Sequence, residues 1–133
     1  MPHESVNPST LYRPHGHSHA IVASGTRTVF IGGQIASDLD GKIIGARDYA
    51  AQGEQTLLNV AAALEATGAE ISDLAQMTIY LVGLNSESEE QLFVGIARAS
   101  AQVKLRRTAT ALIGVERLSD PSALVEIEAV AVF

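Results

Sequence analysis

The sequence contains no cysteine and no tryptophan, and it has only three tyrosines and three phenylalanines among its 133 residues. Without cysteine, disulfide bonds, a thiolate nucleophile and a cysteine-ligated metal site are all excluded. Because aromatic side chains are few, the core must be built mainly from alanine, valine, leucine and isoleucine, which suits helices packed closely on a sheet. A chain of this length fits one domain and can bury roughly two-thirds of its unfolded surface.

Basic residues are also scarce, since nine lysines and arginines face fifteen acidic residues and the formal charge is −6. An acidic surface repels phosphates, so no nucleic-acid partner is expected. The one basic cluster, Lys104, Arg106 and Arg107, predicts a solvated edge, because the aromatic neighbours of an RNA-binding patch are missing. No apolar run reaches about 18 residues, which predicts no membrane span. Residues 1–12 lack the pattern of a secretory signal, and we therefore expect a cytoplasmic protein.

Short β-branched runs predict about six strands. Residues 1–16 are predicted to form an extended N-terminal arm, because they show no apolar periodicity. The runs 20–23 and 28–31 are separated by Ser24-Gly25-Thr26, which predicts a hairpin. Further strands are predicted at 42–44, 74–84, 108–115 and 123–132.

Two segments have helical periodicity. Residues 48–67 place Leu57 and Leu64 on an inward face and Gln52 towards water, and Gly68 is the expected stop. Residues 86–89 have the form of a capping box, which predicts a second helix from there to about residue 103. Four positions are predicted to face inward on that helix: Leu92, Phe93, Ile96 and Ala99.

The order of elements predicts the fold class. One helix lies between strands twice over, so two β-α-β units are expected. The prediction is a single α+β domain spanning residues 1–133, with one mixed sheet of about six strands and both helices packed on one face of it.

Four segments, in order and with natural spacing, resemble the RidA/YjgF family. Residues 29–34 (VFIGGQ) resemble an apolar strand that ends in Ser-Gly-Gln in the family, and residues 52–68 resemble its glutamine-rich helix. Residues 77–81 (MTIYL) resemble the following strand, and residues 124–129 (LVEIEA) resemble the C-terminal signature. The resemblance implies a homotrimer that binds small molecules in clefts between subunits, without a cofactor. It also implies hydrolysis of reactive enamines and imines, such as 2-aminoacrylate, to a keto acid and ammonia.

The resemblance also implies site residues. Glu126 matches the acid that orients the attacking water, and Glu128 faces the same way along the strand. Gly32 and Gly33 match positions that approach the ligand, with Gly33 offering a backbone N–H. His17 lies where the family places an aromatic residue, and an imidazole there can act as acid or base. The alternatives are a half-exposed strand for the two glutamates and a tight turn for the glycine pair.

Two residues depart from the family pattern. Gly32 stands where many members have a serine, which removes a hydroxyl. Thr110 stands where the family has the arginine that binds the substrate carboxylate. Arg107 would point to the opposite face of an extended strand, and Arg106 would lie about 13 Å along it, so neither is expected to replace that arginine. Simple 2-imino acids are therefore expected to be poor substrates. A trimer that binds a metabolite without catalysis is the alternative, and ribonuclease activity is disfavoured by the acidic charge.

The histidines of the arm form an alternating triplet, His15, His17 and His19. In an extended chain they would point the same way, a spacing that binds zinc or nickel. The alternative is a polar arm with chance spacing, and no metal site is assigned.

Overall fold

A computed structural model describes residues 3–133, so the first two residues of the predicted arm lie outside the described residues. No helix among these residues is long and apolar enough to cross a bilayer. Residues 3–133 form six strands, two α-helices and a short 3-10 helix. In chain order these are β1 (Glu4–Val6), β2 (Ala20–Val22), β3 (Thr28–Gln34), α1 (Tyr49–Glu65), the 3-10 helix (Ile71–Asp73), β4 (Leu74–Val82), α2 (Ser86–Val103), β5 (Ala109–Val115) and β6 (Val125–Val132).

The strands form two sheets. The larger has the order β3-β6-β4-β5, with β4 and β5 parallel and the other pairs antiparallel. The smaller is the antiparallel pair β1-β2. The predicted α+β class with a mixed sheet and two helices is confirmed. The large sheet has four strands instead of about six, because the strand predicted at 20–23 pairs in the small sheet and residues 42–44 form no strand.

The predicted hairpin between residues 20–23 and 28–31 is wrong, because β2 pairs with β1 and β3 pairs with β6. The chain between β2 and β3 is held by the last residue instead. The backbone N–H groups of Thr26 and Arg27 both donate to the Phe133 carbonyl, at 3.0 and 2.9 Å. Residues 4–6 were expected in an extended arm, but they form β1, which pairs with β2. The predicted strand at 42–44 is reduced to one bridge, between Ser37 and Ile43.

Helix α1 begins and ends as its sequence predicts. The Asp48 side chain accepts a hydrogen bond from the Ala51 N–H at 3.0 Å, which satisfies one of the free donors of the first turn. Gly68 adopts a φ of +91° just after the helix. Leu57 and Leu64 are fully buried in the core between the helices and the sheet, as predicted.

Gln52 was expected to face water but is fully buried in α1. Its amide nitrogen donates to the carbonyl oxygens of Gly45 (3.1 Å) and Ser122 (3.2 Å), and its amide oxygen accepts from the Leu124 N–H at 2.8 Å. A buried amide is tolerated where its polar atoms are paired. Gln52 therefore joins the loop before α1 to the start of β6.

Helix α2 is capped one residue earlier than predicted. The Asn85 side chain accepts from the Ser88 N–H at 2.9 Å, and the Ser88 hydroxyl accepts from the Asn85 N–H at 2.9 Å. These reciprocal bonds form the capping box, so the box predicted for residues 86–89 is wrong. Leu92 is buried as predicted, whereas Phe93 is 43% exposed. The two helices cross closely at Gly95, where an added Cβ atom would overlap the Ala50 carbonyl.

Candidate functional site

The two faces of the large sheet have different surroundings. Register partners share a face, and Glu126 is opposite Tyr80 while Glu128 is opposite Thr78. These four side chains lie on the face that the helices leave open. Thr110 is opposite the buried Met77, so it lies on the face that the helices cover.

The Glu126 carboxylate lies directly against the backbone of Gly33. A Cβ atom added at Gly33 would be 2.7 Å from Glu126 Cδ and 2.8 Å from Oε2, closer than side chains pack. Glycine is therefore required for this placement. The contact joins β3 to β6 on the open face and brings together two of the predicted site residues.

The glycine pair forms a bulge in β3. Ile31 pairs with Ala129 and Gln34 with Ile127, so Gly32 and Gly33 together oppose the single residue between those partners, which is Glu128. A bulge bends its strand and leaves backbone groups unpaired. An added Cβ atom at Gly32 would meet nothing within 4 Å, so a larger side chain fits there.

Glu128 is held by a neighbour that the sequence prediction missed. The Tyr80 hydroxyl donates to Glu128 Oε1 at 2.6 Å across the open face. This hydrogen bond, with smaller contributions from desolvation and from the charges of Glu128 and Glu126, raises the pKa of Tyr80 above its ordinary value. The signal in the sequence was the alternation in β4, which places Tyr80 on the face opposite the buried Ile79.

His17 and Thr110 line a different region, a cavity of about 620 Å³ between the N-terminal arm, α2 and β5. The Thr110 and Thr108 hydroxyls are 2.6 Å apart and hydrogen-bonded to each other. His17 Nδ1 donates to the His15 carbonyl oxygen at 3.2 Å. The ring of His17 is thereby oriented from within the arm.

The histidine triplet is not extended. Gly16 has a φ of +77°, which turns the chain between His15 and His17. His19 Nε2 donates to the Tyr12 carbonyl oxygen at 2.7 Å. Within residues 3–133 no group of three or more histidine, cysteine or acidic side chains is arranged to hold a metal ion.

Arg106 and Arg107 line the same cavity as His17 and Thr110. Both were set aside on the spacing of an extended strand, but β5 begins only at Ala109. The two arginines therefore precede the strand, and its alternation does not fix their directions. The inference that Arg107 points away from Thr110 is wrong, because strand alternation was applied to residues that precede even the predicted start of the strand at residue 108.

The predicted site residues are thus in two places within one chain. Gly32, Gly33, Glu126 and Glu128 lie on the open face of β3 and β6. His17 and Thr110 lie at β5, which is an edge strand of the large sheet, with β4 between it and β6.

Comparison with known proteins identifies the family. A family model described as Endoribonuclease L-PSP matches residues 9–133. A Rid-family protein of unknown function, YyfB from Yersinia pestis, is 31% identical over the full length of both chains, with a TM-score of 0.88. Rv2704 from Mycobacterium tuberculosis, a member of the YjgF/YER057c/UK114 family, is 27% identical over 89% of this chain and 87% of its own, with a TM-score of 0.61.

The fold of the YjgF gene product from E. coli is also similar, with a TM-score of 0.69, 24% identity and 87% of each chain covered. No curated protein matches the sequence. The match over residues 9–133 and the full-length relative carry the conclusion that this chain belongs to the Rid/YjgF family.

Proposed function

We propose that this protein hydrolyses or tautomerises an imine, an enamine or a related small metabolite, with Glu126 as the catalytic residue. The observation that carries the proposal is the packing of the Glu126 carboxylate on Gly33. A carboxylate held beside a bulge can orient a water molecule next to a ligand that contacts the glycine backbone.

The proposed hydrolysis conserves atoms and charge. Water adds through its oxygen to the imine carbon while Glu126 takes a proton from the water. Glu126 returns that proton to the nitrogen, which gives a carbinolamine. The proton of the new hydroxyl is then transferred to the nitrogen through Glu126 as the carbon–nitrogen bond breaks, so that a carbonyl compound and ammonia leave. Tautomerisation of an enamine to an imine adds no water: Glu126 takes a proton from the nitrogen and a proton is delivered to the carbon.

We also propose that the protein is a homotrimer with its ligand sites between subunits. One chain keeps Glu126 and Thr110 on opposite faces of its sheet, so a second copy is needed to bring such groups together. The open face also carries apolar side chains, since Phe30 is 77% exposed and Ile113 is 43% exposed. Light scattering should give three times the 14.0 kDa chain mass, and a monomer would contradict this.

The cytoplasmic location expected from the sequence stays a prediction.

Simple 2-imino acids are proposed to be poor substrates. The Thr110 hydroxyl is uncharged and is hydrogen-bonded to the Thr108 hydroxyl, so it cannot supply the charge-assisted pair that an arginine forms with a carboxylate. A charge-assisted pair contributes about 1.5–3 kcal/mol, and its loss weakens binding by about tenfold to a hundredfold. The same observation favours the alternative, a trimer that binds a metabolite without turning it over.

An imine-trapping assay tests the proposal. An amino-acid oxidase makes imines from leucine or alanine in situ, and semicarbazide traps them, so hydrolysis by this protein reduces the trapped product. We expect a weak reduction with the alanine imine. The leucine imine should be hydrolysed faster, because its larger apolar side chain adds contacts that do not depend on a cation. Thr110→Arg should raise activity on the alanine imine, because it places a guanidinium at the family position. No reduction with either imine at micromolar protein would contradict imino-acid hydrolysis and leave the binding alternative.

Ribonuclease activity, named in the description of the family model, is not proposed for this chain. The formal charge of −6 disfavours binding to a polyphosphate chain.

A further inference from the structure

The cavity at β5 has two chemically different walls. Arg106, Arg107 and His17 line one side, where both arginines are exposed. Phe93, Ile96 and Leu112 line the other, where α2 faces the sheet. A ligand that fits both walls must combine a polar or charged group with an apolar body.

The polar wall is basic in a protein whose formal charge is −6. Two arginines and two histidines line the cavity, and Glu89 is its one acidic residue. Among residues 3–133, the side-chain hydrogen bonds at this cavity join Thr108 to Thr110 and His17 to Tyr12 and to the His15 carbonyl, and none of them involves either guanidinium. Arginine presents its N–H groups as a planar fork that matches the two oxygens of a carboxylate. The group that this wall fits best is therefore an organic anion.

The size of the cavity and its apolar wall restrict the ligand further. A volume of about 620 Å³ is within the range of sites for ligands much larger than a three-carbon acid. Phe93 is 43% exposed although it was predicted to face the core, and it offers its ring to this space. Burial of an apolar ligand group against it would stabilise the complex by about 25 cal/mol per Å².

We propose that this cavity binds a carboxylate with a bulky apolar body, with Arg106 and Arg107 holding the carboxylate and Phe93 contacting the body. The anion-binding group has then moved from the family position at Thr110 to the segment that precedes β5. The inference rests on the proposed function in one respect: His17 and Thr110, two of its site residues, line the same cavity.

Binding of an unreactive ligand tests this inference separately from catalysis. The probes are 3-phenylpropionate, its neutral analogue 3-phenylpropanamide, and propionate, which lacks the ring. Isothermal titration at low ionic strength should show that 3-phenylpropionate binds at least tenfold more tightly than either of the other two. Equal binding of the acid and the amide would overturn the role of the arginines.

Two double variants with the same change in charge distinguish binding by the cavity arginines from a general effect of net charge on an anionic ligand. Arg106→Gln/Arg107→Gln should weaken 3-phenylpropionate about tenfold and leave the amide within twofold, as expected for loss of charge-assisted hydrogen bonds. Lys42→Gln/Arg47→Gln removes two positive charges from an exposed loop outside the cavity and should change binding of the acid less than twofold. Equal weakening by both pairs would contradict a specific site.

The apolar wall has its own variant. Phe93→Ser should weaken the acid and the amide by a similar factor, since it removes a contact that both ligands share. All four substituted side chains of the double variants are exposed, so thermal unfolding should match the unsubstituted protein. The probes contain no imine, so probe binding and imine hydrolysis are measured separately. Tight probe binding by a protein that shows no activity in the imine-trapping assay would support this inference and contradict the hydrolase. Imine hydrolysis by a protein that does not bind the probe would support the hydrolase and contradict this inference.

Discussion

The buried amide of Gln52 provides a quantitative test of how the structure positions Glu126. Its three hydrogen bonds end at Gly45, Ser122 and Leu124, and Leu124 is two residues before Glu126. Gln52→Met keeps the length and approximate volume of the side chain and removes its polar atoms. The variant therefore reports on the hydrogen bonds with little contribution from a cavity.

The expected loss follows from the groups left behind. The Gly45 carbonyl keeps a second partner, the Asp48 N–H at 3.0 Å. The Leu124 N–H is left without its partner, which costs about 1–3 kcal/mol. Ser122 is exposed, so its carbonyl can bind water and the lost bond costs only about 0.5–1.5 kcal/mol. Together these costs should lower the free energy of unfolding by about 2–4 kcal/mol.

Urea unfolding followed by circular dichroism, at one fixed protein concentration, measures this loss. For a domain of this size the melting temperature should fall by about 6–12 °C. Gln91→Met is the matched control, because Gln91 is exposed on α2, and it should stay within about 0.5 kcal/mol of the unsubstituted protein. A Gln52→Met variant as stable as that control would refute the reasoning.

Two further predictions concern the open face. Gly33→Ala should displace the Glu126 carboxylate and lower imine hydrolysis at least tenfold. Gly32→Ala should have little effect, because its added Cβ atom meets open space. Equal rates of hydrolysis by the two variants would contradict the role of the contact between Gly33 and Glu126. Ultraviolet titration against a Tyr80→Phe reference should show that Tyr80 ionises above its ordinary pKa, and Glu128→Gln should return it towards that value. Since the raised pKa favours the protonated hydroxyl in the folded state, its stabilisation is present at neutral pH and is lost as the pH rises through the folded-state pKa.

The parts of the fold that depend on periodicity were predictable. The alternation of Met77, Ile79 and Leu81 in β4 and the helical spacing of Leu57 and Leu64 in α1 both identify buried faces that the structure confirms. These signals are local, because each residue's neighbours in sequence determine which face it occupies.

The errors lie where distant segments meet. Gln52 looks like a surface residue of α1, and only the loops that reach it from residues 45 and 122–124 make its burial possible. The pairing of β2 with β1 likewise joins residues 20–22 to residues 4–6, which are separate in the sequence. Sequence spacing carries no record of such contacts.

In the candidate site, too, local patterns were predictable and contacts between distant segments were not. The family resemblance located Glu126 and Gly33, and the structure adds the contact between them, which only the bulge in β3 creates. Tyr80 was missed because its role depends on register with β6. Arg106 and Arg107 were not expected near Thr110 because strand alternation was extended to them, although both precede β5 and its predicted start.

The most direct test of the central claim compares two carboxylates on one strand in the imine-trapping assay. Glu126→Gln and Glu128→Gln remove the same charge from neighbouring positions of the open face. We predict that Glu126→Gln lowers the rate of leucine-imine hydrolysis by about a hundredfold or more, within the range of general acid–base catalysis. Glu128→Gln should change the rate less than threefold. A Glu126→Gln variant that keeps the full rate would contradict the assignment of Glu126 as the catalytic residue.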